Sequence, residues 1–453
     1  MQQALITIAF AIIWVFIGNL LGKTFPLLRR FALPGAVLGG SIALLLGPQL
    51  LNLGTGWKVV DVNRTYYQLR DFPGIFINLV FACLMLGRRF GSPKKVWTRA
   101  RPQIVMGHIL AWGQYVVGLA AVLFLLGPLF DTNELAGPII AIGFQGGHGT
   151  AAGLGENFTA LGFEQGESFA MALATVGVIS GVILGPLLAN FLVHRYKLGD
   201  NETAKFHQQN DKSDIPQLLK PNPLTGRLTV HLGLVFLVVL AGWGLLTLIQ
   251  FAEHCVRGEG AEQYFSDFIP LFSLVLMTGM LTQAGLQWCG WDRLFHRTLF
   301  EKISSISLDM VIFAALATLS LNVISENWQA LAILCLLGLV WNLTIFFGLG
   351  HYVYRSPWHV YGVGDLGGGT ATTASGILLI KVVDPEHKTD AMDSYADKQP
   401  FYEPIMGGGL VTAFALPTVA MLGAGWSLAI TGMILTAWLA YAYWLWEKRT
   451  SGS

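Results

Sequence analysis

The sequence predicts an all-α integral membrane protein: an inverted-repeat secondary transporter with about eleven transmembrane helices and two re-entrant hairpins. Three observations predict it. Hydrophobic residues make up 53% of the 453 and charged residues only 12%, against roughly 25% charged in soluble domains. The apolar residues fall in long uninterrupted stretches separated by basic or acidic loops. A short glycine run also occurs twice, as Gly146-Gly147-His148-Gly149-Thr150-Ala151-Ala152 and as Gly367-Gly368-Gly369-Thr370-Ala371-Thr372-Thr373. Thr150 and Thr370 stand close to half the chain apart. Interrupted hydrophobic segments in corresponding positions of two halves mark the midplane binding site of a carrier.

An apolar stretch of about 17–25 residues is long enough to cross the hydrocarbon core as a helix. On that measure spans are expected at 5–21, 33–53, 72–86, 104–130, 168–192, 228–249, 268–288, 303–324, 328–349, 405–422 and 426–446. The stretch 72–86 is short, which fits a partly unwound helix or one that spans with help from its flanks. Two further stretches, 137–155 and 358–380, carry the glycine runs at their centres. Each offers arms of about 8–11 residues, or roughly 12–17 Å of helix, half a bilayer. Both are read as re-entrant hairpins whose tips reach the midplane. The chain then divides into an N-terminal repeat at 1–193, a linker at 194–227 rich in Asp, Lys, Asn and Pro, and an inverted C-terminal repeat at 228–449.

Loop charges orient these elements. Lys23, Arg29 and Arg30 follow the first span, and Arg88, Arg89, Lys94, Lys95, Arg99 and Arg101 follow the third. Arg195, Lys197, Lys205, Lys212, Lys220 and Arg227 fill the linker; Arg293, Arg297 and Lys302 precede the span at 303–324; Lys448 and Arg449 end the last. The alternate loops are mostly poor in Lys and Arg or acidic, with Asp131, Glu134, Glu164, Glu253, Glu259 and Glu262. The loop holding Lys58, Arg64 and Arg70 is the exception. The alternation places the N-terminus outside and the C-terminus in the cytoplasm, so the hairpins enter from opposite sides, as an inverted repeat requires. Met1-Gln2-Gln3 has no positive n-region, and no cleaved signal is expected. Gly at 53 residues and Trp at 14 suit close helix packing and interfacial anchoring in lipid.

The glycine runs carry the chemistry. A helix starting at Thr150 or Thr370 presents unpaired backbone N–H groups and a positive dipole end, and the preceding glycines let an anion approach them. Gly146, Gly147, His148, Gly149 and Thr150 of the first tip, with Gly367, Gly368, Gly369, Thr370, Thr372 and Thr373 of the second, are therefore the expected substrate-binding residues. The hydroxyls, Ser375 included, can bond a carboxylate or ligate sodium. Helix packing by small residues is the competing reading; the matched placement of the two runs favours binding. Asp309 is the only charged residue in the spans, and a carboxylate at that depth costs several kcal/mol unless paired or hydrated. Sodium ligation, proton coupling and binding of a substrate ammonium each account for it, as does a position facing the cytoplasmic vestibule. Asp365, inside the second hairpin, has a similar case. His148 either donates to a carboxylate or positions its loop, and His108 and His231 are read as structural.

The function classes narrow accordingly. A net charge of +1 without a basic run gives no reason to expect nucleic acid. Cys83, Cys255, Cys289 and Cys335 are too scattered for a metal site or disulfide framework, and no cofactor is expected. A channel needs a continuous polar path, usually with one filter sequence per subunit. An intramembrane enzyme needs a nucleophile and base or a metal set, and nothing pairs His148, Asp309 or Asp365 with a nucleophile.

From Gly143 to Asn190 the chain resembles the bacterial glutamate:sodium symporter family most densely. Gly146-Gly147-His148-Gly149-Thr150, Ala170-Met171-Ala172, Ala174-Thr175, Gly177, Gly181 and Gly185-Pro186 carry the resemblance. Weaker matches are Leu33-Pro34 with Gly39-Gly40, Gly226-Arg227, and Ser305-Ile306-Ser307-Leu308. The resemblance implies an elevator-type carrier of the bacterial inner membrane, often dimeric, that couples inward sodium flow to uptake of L-glutamate or a similar acidic solute. Candidate sodium ligands are Asp309, Asp365, Ser307 and Thr175. Three departures bear on substrate and ion: Pro34-Gly35-Ala36 replaces a Pro-Glu-Pro, Gly364-Asp365-Leu366-Gly367-Gly368-Gly369 replaces a Gly-His-Cys-Gly-Phe-Gly type loop, and no acid stands near Thr412. Another dicarboxylate or organic anion, driven by sodium or protons, is the alternative cargo.

Overall fold

The computed structural model describes residues 2–25, 34–48, 62–88, 93–196, 228–257, 265–354, 357–370, 373–384 and 388–450. Their regular elements are all helices, with no strand among the described residues. Most of the linker expected at 194–227 lies outside them, as does Thr372.

Small residues set how closely the helices cross. In α1 (Gln2–Thr24) and α2 (Gly35–Leu46) the backbones touch: a Cβ on Gly18 would lie 2.0 Å from the Gly35 carbonyl oxygen, and one on Gly39 2.3 Å from that of Trp14. Such contact is the dispersion-driven packing that lipid-embedded helices use. A short polar helix, α3 (Val62–Leu69), leads through a turn at Arg70 into α4 (Phe72–Met85). Together they make a 23-residue run, Asn63–Met85, so α3 supplies the length that the stretch 72–86 lacks. The end of α4 is capped from a distance, where Arg297 Nη1 donates to the carbonyls of Cys83, Leu84 and Leu86 at 2.8–3.1 Å.

The long α5 (Pro93–Ala121) continues through a π-helical turn, Val122–Leu126, and a last α turn, Gly127–Phe130. The first glycine stretch then folds as three short helices, α6 (Ile139–Phe144), α7 (Gly147–Gly153) and α8 (Gly155–Ala160), ahead of α9 (Gly166–Tyr196). After the linker come α10 (Leu228–Arg257), α11 (Leu271–Trp288), α12 (Arg297–Ala317), α13 (Leu321–Glu326) and α14 (Trp328–Val353). The second glycine stretch forms α15 (Trp358–Thr370) and α16 (Thr373–Val383). They pack antiparallel: a Cβ on Gly367 would meet Gly376 Cα at 2.9 Å, and one on Gly364 would meet Ile380 Cδ1 at 2.6 Å. The chain closes with α17 (Ala391–Tyr402) and α18 (Leu410–Thr450).

Four expectations change. The helix after the second glycine run starts at Thr373 rather than Thr370, and Gly367–Gly369 lie within the last turn of α15, where they admit α16. The stretch 303–324 is two helices, because Thr318 Oγ1 bonds the Ala314 carbonyl at 2.8 Å and the chain turns extended at Ser320. The stretch 405–422 becomes helical only at Leu410; residues 403–409 form a turn with Gly408 at φ 84°. From there α18 runs to Thr450 as two helices meeting at Gly423, φ 76°, near the gap expected before 426. α17 was not expected as a helix.

Six helical runs among the described residues are long and apolar enough to cross a membrane. On α10, Leu237, Leu240, Trp243 and Phe251 are each more than half exposed, the outward apolar face of a multi-pass membrane protein. The largest buried cluster gathers α4, α5, α6, α7, α9 and α12 around Ile77, Phe144 and Phe313.

Candidate functional site

The first tip is shaped by its backbone. Gly147 holds φ 67°, a left-handed conformation that costs other residues about 1–2 kcal/mol, and there the chain breaks between α6 and α7. α7 therefore begins at Gly147, three residues before the expected start at Thr150, and Gly147, His148, Gly149 and Thr150 are buried. His148 Nε2 lies 3.0 Å from Thr175 Oγ1, which itself donates to the Met171 carbonyl at 2.9 Å. Thr175 thus accepts from an Nε2–H tautomer, and the imidazole ties the tip to α9. A Cβ on Gly149 would touch Leu308 Cδ1 at 3.2 Å, which packs the tip against α12, the helix that carries Asp309. Asp309 is half-buried and Ser307 is buried, with a relative exposure of 2%.

The two glycine runs come together. A Cβ on Gly369 would lie 3.4 Å from Gln145 Nε2, the residue just before Gly146. Tyr402 Oη bridges the same place, 3.1 Å from Gln145 Oε1 and 2.9 Å from the Gly107 carbonyl. The Gly369 carbonyl, near the end of α15, accepts from Gln114 at 2.8 Å and from Asn342 at 2.9 Å. Thr370 approaches α9 so closely that a Cβ on Gly177 would be 2.2 Å from its carbonyl oxygen. Thr373, first residue of α16, donates to Glu403 Oε1 at 2.7 Å.

A third interrupted segment joins them. The turn at 403–409 carries Gly407-Gly408-Gly409, and a Cβ on Gly408 would lie 2.1 Å from Thr150 Oγ1. The first tip, the second tip and this turn therefore meet around Gln145, Thr150, Thr373 and Glu403. Glycines, side-chain amides and hydroxyls crowd there beside the Glu403 carboxylate.

Asp365 sits elsewhere in the second hairpin, and its charge is already balanced. Lys398 Nζ lies 2.5 Å from its Oδ1, with side-chain exposures of 4% and 0%, and Tyr354 Oη donates to its Oδ2. The ammonium also faces the rings of Tyr402 at 4.1 Å and Tyr395 at 5.4 Å. Asp365 was expected as a sodium ligand; a carboxylate holding a buried ammonium is satisfied as it stands. Near Thr412, where no acid stands, the hydroxyl bonds the Met406 carbonyl at 2.8 Å and accepts from Tyr115 at 3.3 Å.

Lys398, Glu403 and Tyr402 are not picked out by the sequence, though Gly407-Gly408-Gly409 after Pro404 was a signal of the break. Among the described residues no group of three or more His, Cys, Asp or Glu is placed to hold a metal.

A family model described as sodium/glutamate symporter matches residues 2–355, which include the first glycine run and end before the second. A sodium/glutamate symporter of Escherichia coli (strain K12) is 26% identical over 394 residues, covering 84% of this chain and 89% of the relative. One from Haemophilus influenzae is 26% identical over 398 residues, covering 84% and 90%.

Proposed function

The chain belongs to the sodium/glutamate symporter family as a divergent member, and from that premise we propose that it imports L-glutamate or a similar acidic solute with sodium. The observation that carries this reading is the meeting of both glycine runs and the 403–409 turn at one polar place inside an apolar bundle. Gly146, Gly147, His148, Gly149 and Thr150 on one side, with Gly369, Thr370 and Thr373 on the other, receive the solute. Asp309, with Ser307 and Thr175, is the sodium-ligand set we favour. Asp365 is assigned to holding the second hairpin through Lys398.

The same reading keeps the inverted repeat of 1–193 and 228–449 about the linker 194–227, with hairpins at 137–155 and 358–380 re-entering from opposite faces. It keeps about eleven spans, the N-terminus outside, the C-terminus in the cytoplasm of a bacterial inner membrane, an elevator movement and a homodimer in lipid. The protein is a transporter rather than an enzyme. Proteoliposomes holding the full chain test it: sodium-gradient-driven uptake of L-glutamate or another acidic solute is expected. Uptake that ignores the sodium gradient would reject the coupling, and a conductance without saturation would reject the carrier.

A further inference from the structure

Arg88 does not behave as the loop cation its sequence neighbours suggest. It follows the short α4, and its Nη2 lies 3.8 Å from Glu403 Oε2, linking the N-terminal half to the turn between α17 and α18. That separation makes an ion pair but exceeds a hydrogen bond. Glu403 Oε2 is buried with no hydrogen-bond partner among the described residues, while Oε1 is held by Thr373 at the start of α16. Neighbouring Arg297 is a contrast, since its guanidinium is spent on three carbonyls of the α4 end and on Glu301 at 2.9 Å. Arg88 keeps a quarter of its side chain accessible and Glu403 about an eighth, so the guanidinium is only partly shielded while the Oε2 it faces is buried. A guanidinium presents a rigid fork of N–H donors matched to a carboxylate, and this one is poorly used by its present partner.

We infer that Arg88 is the receptor for a carboxylate of the transported solute, and that Glu403 is a loosely bound stand-in which the solute carboxylate displaces. This rests on the acidic-solute reading above. Displacement exchanges a 3.8 Å contact for a bidentate hydrogen-bonded one, and Glu403 keeps its bond to Thr373. The exchange also breaks a tie between the two halves when the site fills.

The test is sodium-driven uptake by the full chain in proteoliposomes, with L-glutamate and a panel of dicarboxylates, for wild type, Arg88→Gln, Arg88→Lys and Glu403→Gln. Losing one charge-assisted bidentate contact is expected to raise KM about tenfold or more in Arg88→Gln. Arg88→Lys should fall in between, and it carries the test if Arg88→Gln does not insert. Glu403→Gln should lower KM, because the internal competitor is gone. A pair that only ties the halves together moves KM and the melting temperature the same way in the Gln variants of both residues, and that outcome overturns the inference, as does an unchanged KM in Arg88→Gln. Wild-type protein that takes up no acidic solute overturns the parent reading as well, so the two failures are distinct.

Discussion

Lys398 and Asp365 are opposite charges with almost no access to solvent. Removing one member of such a pair leaves the other buried alone, at a cost of about 3–5 kcal/mol, whereas replacing both with neutral groups is often close to neutral. Lys398→Met is therefore expected to lower the melting temperature of the detergent-purified protein sharply. Combined Lys398→Met and Asp365→Asn should recover most of the loss. A double variant as unstable as Lys398→Met would mean that the ammonium acts through the Tyr402 ring rather than through Asp365. Asp309 is a different case, half-buried and without a basic partner among the described residues. Asp309→Asn keeps an oxygen but loses the charge, and is expected to weaken apparent sodium affinity about tenfold or more, one charge-assisted contact being worth about 1.5–3 kcal/mol. Saturating sodium should restore the rate; wild-type sodium dependence would remove Asp309 from the site. Both acids stand out in the sequence because their apolar stretches hold no other charge. The partner of Asp365 does not, since Lys398 lies in the polar stretch of α17, and no local pattern ties it to a hairpin folded beneath it.

At the scale of elements, glycine decides where the helices stop. Gly147 and Gly408 both hold left-handed backbone, and a Cβ on Gly408 would in addition be driven into Thr150 Oγ1 at 2.1 Å. Gly147→Ala is thus expected to cost about 1–2 kcal/mol of strain and to leave reduced uptake. Gly408→Ala adds a clash between the 403–409 turn and the first tip, and uptake should vanish while the protein still reaches the membrane fraction. Gly368→Val belongs with it, as its Cβ would lie 2.4 Å from Tyr395 Oη. Full uptake by Gly408→Ala would place the turn away from the site. The helical pair at 358–380 was legible because an apolar stretch interrupted by glycines is too short on each side to span. The third run, Gly407-Gly408-Gly409, was equally visible but sits inside an apolar window, where hydropathy reads through a turn. α17 was illegible because its residues are polar and the hydrophobic periodicity of a surface helix is missing; its place is set by tertiary contacts such as Tyr402 to Gly107 and Arg99 to Asp397.

For the molecule as a whole the open quantity is orientation, and two native cysteines read it. α10 has 30 residues, about 45 Å of helix, more than the roughly 30 Å hydrocarbon core, so its end clears the lipid on the side it reaches. Cys255 lies near that end and is exposed; Cys289, at the far end of the returning α11, is exposed as well, while Cys83 is buried. If the linker is cytoplasmic, Cys255 faces outside beside Glu253, and Cys289 faces the cytoplasm near Arg293. An impermeant maleimide on intact cells should then label wild type and Cys289→Ser but not Cys255→Ser, and permeabilisation should add the Cys289 signal. Thr132→Cys, in a Cys255→Ser background, should label with the outer set, and Ser213→Cys only after permeabilisation. Labelling of Cys289 alone in intact cells would invert the molecule. Both hairpins would then enter from the opposite faces, and sodium driven inward would meet the second tip first.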